Sequence, residues 1–184
     1  MCINIYIRDI EMKDLDDYYS LNSPGREHHK FNGPYFGIIT EDELKAEVQD
    51  IKTKLENGES NPLGQRKIIA DADTDAVIGT VNWYWKSVET LWLEVGVVVF
   101  NEDYWGKGIA TKALTAWISQ VFSERPEIVR IGLSTWSGNF GMCRVARKLR
   151  LKEEARYRNA RIVDGKYYDS VSYGVLREEW ENKE

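Results

Sequence analysis

The chain has 184 residues, of which 42% are hydrophobic and 30% are charged, a composition that predicts one soluble domain over residues 1–184. The net charge of −5 argues against a nucleic-acid partner. No apolar segment approaches the ~18 residues that a membrane span needs, so no membrane association is expected. The two cysteines, Cys2 and Cys143, show no metal-ligand or disulfide spacing. Together with an N-terminus unlike a signal peptide, this predicts a cytoplasmic protein without a metal site.

Period-2 and helical patterns alternate through the first half of the chain. Ile3, Ile5 and Ile7 predict a first strand, and residues 12–19 predict a short helix that stops at the breaker cluster 22–25. A capping box from Thr40 to Glu43 starts a second helix, which runs to about residue 56. Segments 67–70 and 77–85 predict a hairpin. These elements indicate a mixed α/β (α+β) fold.

The second half begins with an apolar strand over residues 93–100, interrupted by Glu94 and Gly96. Helical spacing follows from residue 110 to residue 122, then a strand over residues 128–133 and a turn over residues 134–139. A helix around residues 142–149 precedes two strands that flank the hairpin signal Asp164-Gly165. The charged tail, residues 177–184, is predicted to fray.

Residues 26–36 form an aromatic loop that contains both histidines of the chain. Two interpretations stay open for it, a plain surface connection and a lid that faces the substrate. Adjacent histidines point in different directions on a regular backbone and no third ligand stands nearby, so a metal site is disfavoured.

A glycine turn, residues 105–108, links the apolar strand to the helix that follows it. Strand, glycine turn and helix N-terminus are a combination that binds phosphate on backbone amides. The turn lacks the length and the Lys-Ser/Thr pair of a P-loop, and it is not the dinucleotide fingerprint. The alternative is that Gly106 and Gly108 serve only the turn.

The run Trp105-Gly106-Lys107-Gly108-Ile109-Ala110 resembles motif A of the GNAT superfamily of N-acetyltransferases, with Trp105 in place of the usual Arg or Gln. Ser137-Gly138-Asn139 and the helix after it resemble motif B. The Tyr-Trp-Gly-Lys-Gly run, the Tyr-rich final hairpin and Glu179-Trp180 are similar to the ribosomal-protein N-acetyltransferase branch. The resemblance covers the chain from Ile5 to Trp180. It implies the GNAT fold, a central mixed, mostly antiparallel sheet with a V-shaped split and helices on both faces, and acetyl-CoA as cosubstrate.

The resemblance also implies which residues bind acetyl-CoA. Backbone amides of the glycine turn and the first helical turn would hold the pyrophosphate, and Lys107 would add charge. Val98 and Phe100 would pair with pantetheine through main-chain groups, and Asn139 would bond the cofactor from the other wall of the split. The full set is Val98, Phe100, Trp105, Gly106, Lys107, Gly108, Ile109, Ala110, Thr111 and Asn139.

Acetyl transfer needs a neutral amine, so a general base is expected where burial can tune it. Glu94 is the first candidate, because a carboxylate stands there in an apolar strand and resembles the acidic position that many relatives keep. The alternatives are a structural Glu94 paired with an arginine, or Glu27 or His28 as the base. The positions that supply a general acid in relatives correspond to Ala146 and Met142, neither of which donates a proton.

The acceptor side is less defined by the sequence. Aromatic side chains would favour a cationic or apolar amine; the candidates are Tyr35, Trp83, Trp85 and Trp136, with Glu27 and His28 beside them. The predicted function is transfer of acetyl to a primary amine, either a protein N-terminus such as that of a ribosomal protein, or a small amine. The alternatives are a CoA-binding module without turnover and an interaction protein; a homodimer stays open.

Overall fold

The computed structural model describes residues 3–182. Cys2, one of the two cysteines considered above, lies outside them, and Cys143 is a buried free thiol. The helices of the described part are α1 (Leu15–Asn22), α2 (Glu41–Glu56), α3 (Ile109–Glu124), α4 (Phe140–Lys148) and α5 (Arg177–Glu181). Its strands are β1 (Ile5–Arg8), β2 (Arg66–Asp71), β3 (Val77–Ser87), β4 (Trp92–Val99), β5 (Arg130–Trp136), β6 (Lys152–Val163) and β7 (Lys166–Leu176).

Across residues 3–182 the strands form a seven-stranded sheet in the order β1-β2-β3-β4-β5-β7-β6. The pairs β1–β2, β2–β3, β5–β7 and β6–β7 are antiparallel, whereas β4 and β5 are parallel. The parallel register comprises Leu93 opposite Ile131 and Glu94 opposite Gly132. Pairing between β4 and β5 within the described chain therefore ends just after Glu94.

The chain divides into two compact units, residues 1–82 with 97–113, and residues 83–96 with 114–184. The core of the first unit gathers buried side chains from α1, α2, β2 and β3, with Phe100 among them. In the second unit the buried apolar residues include Leu93, Trp117, Ile131 and Val171. The prediction of a single domain over residues 1–184 stays a prediction. No helix among the described residues is long and apolar enough to cross a membrane.

Local chemistry explains the ends of several elements. Thr40 caps α2 by accepting from the Glu43 amide, and Glu43 bonds back to Thr40, which confirms the capping box. The β6–β7 hairpin turns at Asp164 and Gly165, whose φ values of 49° and 72° suit a type I′ turn. The hairpin predicted from Asp164-Gly165 is confirmed.

The end of α4 shows how the chain manages without the glycine that commonly follows such a helix. Arg150 adopts φ 53°, in the left-handed region. Its amide donates to Arg147 O at 3.0 Å, and the Leu151 amide donates to Ala146 O at 3.0 Å. These two bonds are the Schellman pattern, here formed around an arginine.

Two local predictions were wrong. The tail does not fray over residues 177–181, because it forms α5 and Arg177 donates to the carbonyls of Phe122, Arg125 and Ile128. Residues 183–184 of that prediction lie outside the described chain. Ser134 and Thr135 belong to β5 rather than to a turn, since β5 pairs with β7 through Trp136 opposite Ser170.

Candidate active site

The glycine turn lies between the end of β4 and the start of α3, as predicted. Asn101 accepts from the Asp103 amide and starts a single 3-10 turn over Glu102–Tyr104. Gly106 and Gly108 then adopt φ values of 72° and 81°, a region that side chains disfavour. A Cβ added to either glycine meets no described atom within 4 Å, so both face open space.

The N-terminus of α3 differs from those of α2 and α4. Thr40 and Asn139 cap α2 and α4 with side-chain oxygens, whereas α3 is preceded by Gly108, which has no side chain. Gly108 O accepts the Lys112 amide at 3.0 Å, the first bond of the helix. Amides of a first helical turn have no acceptor within their own helix, and the helix dipole favours an anion there. Ile109, Ala110 and Thr111 supply these amides.

The side chains of the turn are oriented by aromatic neighbours. The Trp105 indole donates to Val99 O at 2.9 Å, and Phe31 packs edge-on against its ring at 5.7 Å between centroids. The Lys107 ammonium lies 5.9 Å from the centre of the Tyr104 ring. Trp105 thus closes the turn onto the end of β4, a structural contact that the sequence did not predict.

The main-chain groups of Val98 and Phe100, which were predicted to pair with pantetheine, face a neighbouring strand instead. The Phe100 amide donates to Ile78 O of β3 at 2.9 Å, and a Cβ on Gly79 of β3 would lie 2.0 Å from Val98 O. Both main-chain groups therefore face β3, because alternate residues of a strand address the same edge. Val99, between them, turns its carbonyl to the opposite edge, where it meets Trp105.

The aromatic loop folds back on the end of β4. Residues Glu27–Lys30 and Pro34–Phe36 form 3-10 turns. His28 is 3% exposed and packs against Phe100 at 5.2 Å and His29 at 4.1 Å between ring centroids. Burial, helped by the neighbouring His29, lowers the pKa of His28 to about 4, against the opposing effect of its bond to the Phe100 main chain. His28 is therefore neutral at pH 7 and enclosed, a position unsuited to contacting a substrate.

The other predicted acceptor residues are distributed along the chain. Glu27 pairs with Lys30 at 2.5 Å on the surface, and Tyr35 packs against Phe36. Trp83 and Trp85 pack edge to face, and the Arg125 guanidinium covers Trp83 at 4.2 Å from the ring centre. An arginine of the chain itself therefore occupies the cation-binding face of Trp83.

Trp136 is a core residue. It is 5% exposed, and Tyr168 packs edge-on against it at 4.8 Å. A Cβ on Gly138 would lie 1.8 Å from the Trp136 ring, so that glycine is required by the indole. This burial removes Trp136 from the candidate acceptor contacts.

Glu94 is a buried carboxylate of the second unit. It is 2% exposed, and among the described ion pairs none includes it, so the arginine-paired alternative is wrong. Instead Tyr84 donates to Oε2 at 2.5 Å and Ser134 donates to Oε1 at 2.9 Å. Tyr84 and Ser134 were not among the predicted site residues. In the sequence, the alternation of Trp83, Tyr84 and Trp85 indicates that Tyr84 lies on the opposite face of its strand from the two tryptophans. Nothing near it in the sequence indicates that it bonds to Glu94.

Asn139 and the general-acid positions lie at and in α4. Asn139 Oδ1 accepts from the Met142 amide at 3.0 Å and so caps the helix. Ala146 is fully buried. Among residues 3–182, no three His, Cys, Asp or Glu side chains are grouped as metal ligands.

Comparison with known proteins adds the family to this geometry. The family model described as "Acetyltransferase (GNAT) domain" matches residues 4–152. The chain belongs to the GNAT acetyltransferase family. The predicted fold class is thereby confirmed, and the chain is an acetyl-CoA-dependent N-acetyltransferase.

Individual relatives agree with this assignment. The uncharacterized N-acetyltransferase YnaD of Bacillus subtilis strain 168 is 29% identical over 176 residues, 96% of this chain and 95% of that protein. A spermidine N-acetyltransferase from Vibrio cholerae, solved with CoA and spermine, has a TM-score of 0.72 at 19% identity and covers 97% of this chain and 98% of its own. RimL, named as a ribosomal L7/L12 alpha-N-protein acetyltransferase, has a TM-score of 0.66 at 17% identity, with 94% and 93% covered. At these identities the two structures show the fold alone.

Proposed function

We propose that this GNAT acetyltransferase transfers the acetyl group to a primary amine in one ternary complex, with Glu94 as the general base. The observation that carries the proposal is the Glu94 carboxylate itself, which is buried, has no cationic partner among the described residues and is held by two hydroxyl donors. A carboxylate held in this way has both oxygens fixed in position, and a general base must be positioned.

The base is needed because the acceptor amine is protonated at neutral pH. An alkyl amine has a pKa of ~10.4 and an α-amine of ~8, so each loses one proton before its nitrogen can attack the thioester. A second proton leaves the positively charged nitrogen as the amide forms. The other two candidates for the base are less suitable. The Glu27 carboxylate is paired with Lys30 on the surface, and His28 is enclosed by Phe100 and His29.

On the donor side, the proposal assigns the pyrophosphate of acetyl-CoA to the glycine turn and the first turn of α3. Two glycines with positive φ, open space beside them and a helix that follows directly on Gly108 support this assignment. Lys107 would add positive charge. Asn139, predicted from the resemblance to bond the cofactor, stays a proposal. No general acid is required if the pKa of the leaving thiol is close to the ~8.5 of cysteine, because the thiolate can then leave without first being protonated.

The acceptor is either a protein N-terminus or a small polyamine. RimL is named for the first kind of acceptor and the Vibrio cholerae enzyme for the second. The chain's net charge of −5 suits a cationic acceptor of either kind.

An acceptor panel tests the proposal. The purified protein is mixed with acetyl-CoA and with spermidine, spermine, or peptides carrying a free N-terminus, and thiol release is followed together with product mass. Matched peptides with a blocked N-terminus and no lysine are the control. We expect thiol release and one added acetyl group with at least one free amine, and none with the blocked peptides.

The two other outcomes point to the alternative functions. Binding of acetyl-CoA by calorimetry without thiol release above background, across the whole panel, would contradict the enzyme and favour a CoA-binding module. Absence of acetyl-CoA binding would contradict the donor site and favour an interaction protein.

A further inference from the structure

Four polar side chains form a hydrogen-bonded row across adjacent strands of the second unit. Tyr84 of β3 donates to Glu94 of β4 at 2.5 Å, and Ser134 of β5 donates to the other carboxylate oxygen at 2.9 Å. Ser134 Oγ lies 3.2 Å from Ser172 Oγ of β7. Each strand of the order β3-β4-β5-β7 therefore contributes one member.

Exposure varies sharply along this row. Glu94 is 2% exposed, whereas Tyr84 is 40% exposed and Ser134 is also exposed. The buried carboxylate is thus reached from solvent through hydroxyl groups. Each of the two hydroxyl groups that bond to Glu94 thus belongs to an exposed residue.

Gly132 makes this arrangement sterically feasible. It stands opposite Glu94 in the parallel register, and a Cβ on it would lie 3.1 Å from Glu94 Cγ. The Glu94 side chain therefore crosses β5 at Gly132 and reaches Ser134, two residues further on the same face. A side chain at residue 132 would therefore require the Glu94 side chain to shift by a few tenths of an ångström.

We propose that Tyr84 is a catalytic proton relay, which takes the proton of the acceptor amine and passes its own proton to Glu94. Ser134, backed by Ser172, is a positioning residue that holds the second carboxylate oxygen. The inference rests on the proposed function, since it takes Glu94 as the final proton acceptor.

The proposed steps balance in atoms and charge. The neutral amine nitrogen attacks the thioester carbon, which forms the N–C bond and gives a positively charged nitrogen and an oxyanion. One N–H proton moves to Tyr84 Oη while the Tyr84 hydroxyl proton moves to Glu94 Oε2. The oxyanion then re-forms the carbonyl and the C–S bond breaks, with the electron pair leaving on the thiolate. The proton on Glu94 returns through Tyr84 to the thiolate, which yields the amide and free CoA.

The relay also supplies a proton donor for the leaving thiolate. Ala146 is buried and has no ionisable group, and Met142 donates no proton. Tyr84, an exposed residue whose hydroxyl donates to the base, is a donor that the chain does possess. One path then carries the proton in both directions.

The test compares Tyr84→Phe, Ser134→Ala, Glu94→Gln and the double variant Tyr84→Phe/Glu94→Gln. Tyr167→Phe is the matched control, because Tyr167 is 65% exposed and lies on β7 at the hairpin turn, outside the row. We expect Tyr84→Phe to lower kcat at least about 10-fold, toward the 10²–10⁴ typical of general base catalysis, with the KM for acetyl-CoA changed less than twofold. Ser134→Ala should lower kcat less than Tyr84→Phe does. The kcat of the double variant should be no lower than that of Glu94→Gln, because the effects of two groups on one proton path do not add.

A second measurement counts the protons transferred in the rate-limiting step. In mixtures of H₂O and D₂O, transfer of two protons in one step gives a curved dependence of kcat on deuterium fraction, and direct transfer gives a straight line. We expect a curve for the natural protein and for Tyr167→Phe, and a line for Tyr84→Phe.

The outcomes separate the two proposals. If Glu94→Gln loses activity while Tyr84→Phe keeps kcat and the natural protein gives a straight line, the relay is wrong and Glu94 remains the base. If Glu94→Gln keeps kcat, the proposed base is wrong, and the relay is wrong with it. If Tyr84→Phe does not fold, the shape of the natural protein's deuterium dependence alone decides.

Discussion

Replacing Gly108 with alanine separates the fold of the glycine turn from its proposed binding role. At φ 81° an L-residue costs about 1–2 kcal/mol, and alanine recovers about 0.5–1 kcal/mol by restricting the unfolded chain. The net loss of about 1 kcal/mol corresponds to a melting temperature about 2–4 °C lower for a chain of this size. The new Cβ meets no described atom within 4 Å, so no packing clash adds to this cost.

Acetyl-CoA affinity should fall much further than stability. If a phosphate occupies the space beside Gly108, the methyl group displaces at least one charge-assisted hydrogen bond worth about 1.5–3 kcal/mol. At 1.4 kcal/mol per factor of ten, the dissociation constant rises about 10-fold to 150-fold. Calorimetric titration with acetyl-CoA measures this change, and thermal unfolding measures the backbone cost.

Gly58→Ala is the matched control. Gly58, which follows α2, has φ 82° and likewise no described atom within 4 Å of an added Cβ. Both variants should therefore lose the same stability, and only Gly108→Ala should lose affinity. Equal affinities in the two variants and the natural protein would refute the phosphate assignment of the turn.

Three further predictions concern stability. Burial lowers the pKa of His28 from 6.5 to about 4, so the folded state binds the proton less readily and stability is lost as pH falls from 6.5 through 4; His28→Gln should lose up to about 3 kcal/mol less than the natural protein in denaturant titrations over that range. Arg150→Gly removes the strain of a side chain at φ 53° and should raise the unfolding free energy by about 0.5–1 kcal/mol. Asn159→Gly, at φ 54°, should change it very little, because asparagine tolerates this region. Equal gains in the two variants would contradict the explanation. Arg177→Ala should lose about 2–3 kcal/mol of unfolding free energy, since it removes charged donors from three carbonyls. The control, Arg144→Ala at an exposed position, should lose less than about 0.5 kcal/mol. Equal losses would mean that Arg177 does not anchor α5.

Local signals in the sequence predicted the parts of this fold that depend on near neighbours. The capping box at Thr40, the turn at Asp164-Gly165 and the glycine turn before α3 each carry their cause within a few residues. The left-handed conformation of Arg150 also has a local cause, because the chain has no glycine after α4.

The errors arose where a distant partner decides the outcome. Arg177 looks like part of a charged tail until its carbonyl partners, about fifty residues earlier in the chain, are known. Ser134 looks like a turn residue because its pairing with β7 is invisible locally. Trp136 looks like a binding aromatic, but Gly138 and Tyr168 enclose it.

The candidate site shows the same division. Glu94 stood out in the sequence as a carboxylate within an apolar strand, and its role as the base is a proposal. Its hydroxyl partners come from two other strands, so their identity required the sheet register. His28 stood out because it lies in an aromatic loop that contains both histidines, yet it is packed against Phe100.

Single-turnover acetyl transfer by Glu94→Gln tests the central claim most directly. The variant is loaded with saturating acetyl-CoA, mixed with an acceptor that the panel has identified, and quenched over time. We expect a rate reduced about 10²-fold to 10⁴-fold, with the acetyl-CoA dissociation constant within twofold of the natural protein. A single-turnover rate equal to that of the natural protein would contradict it.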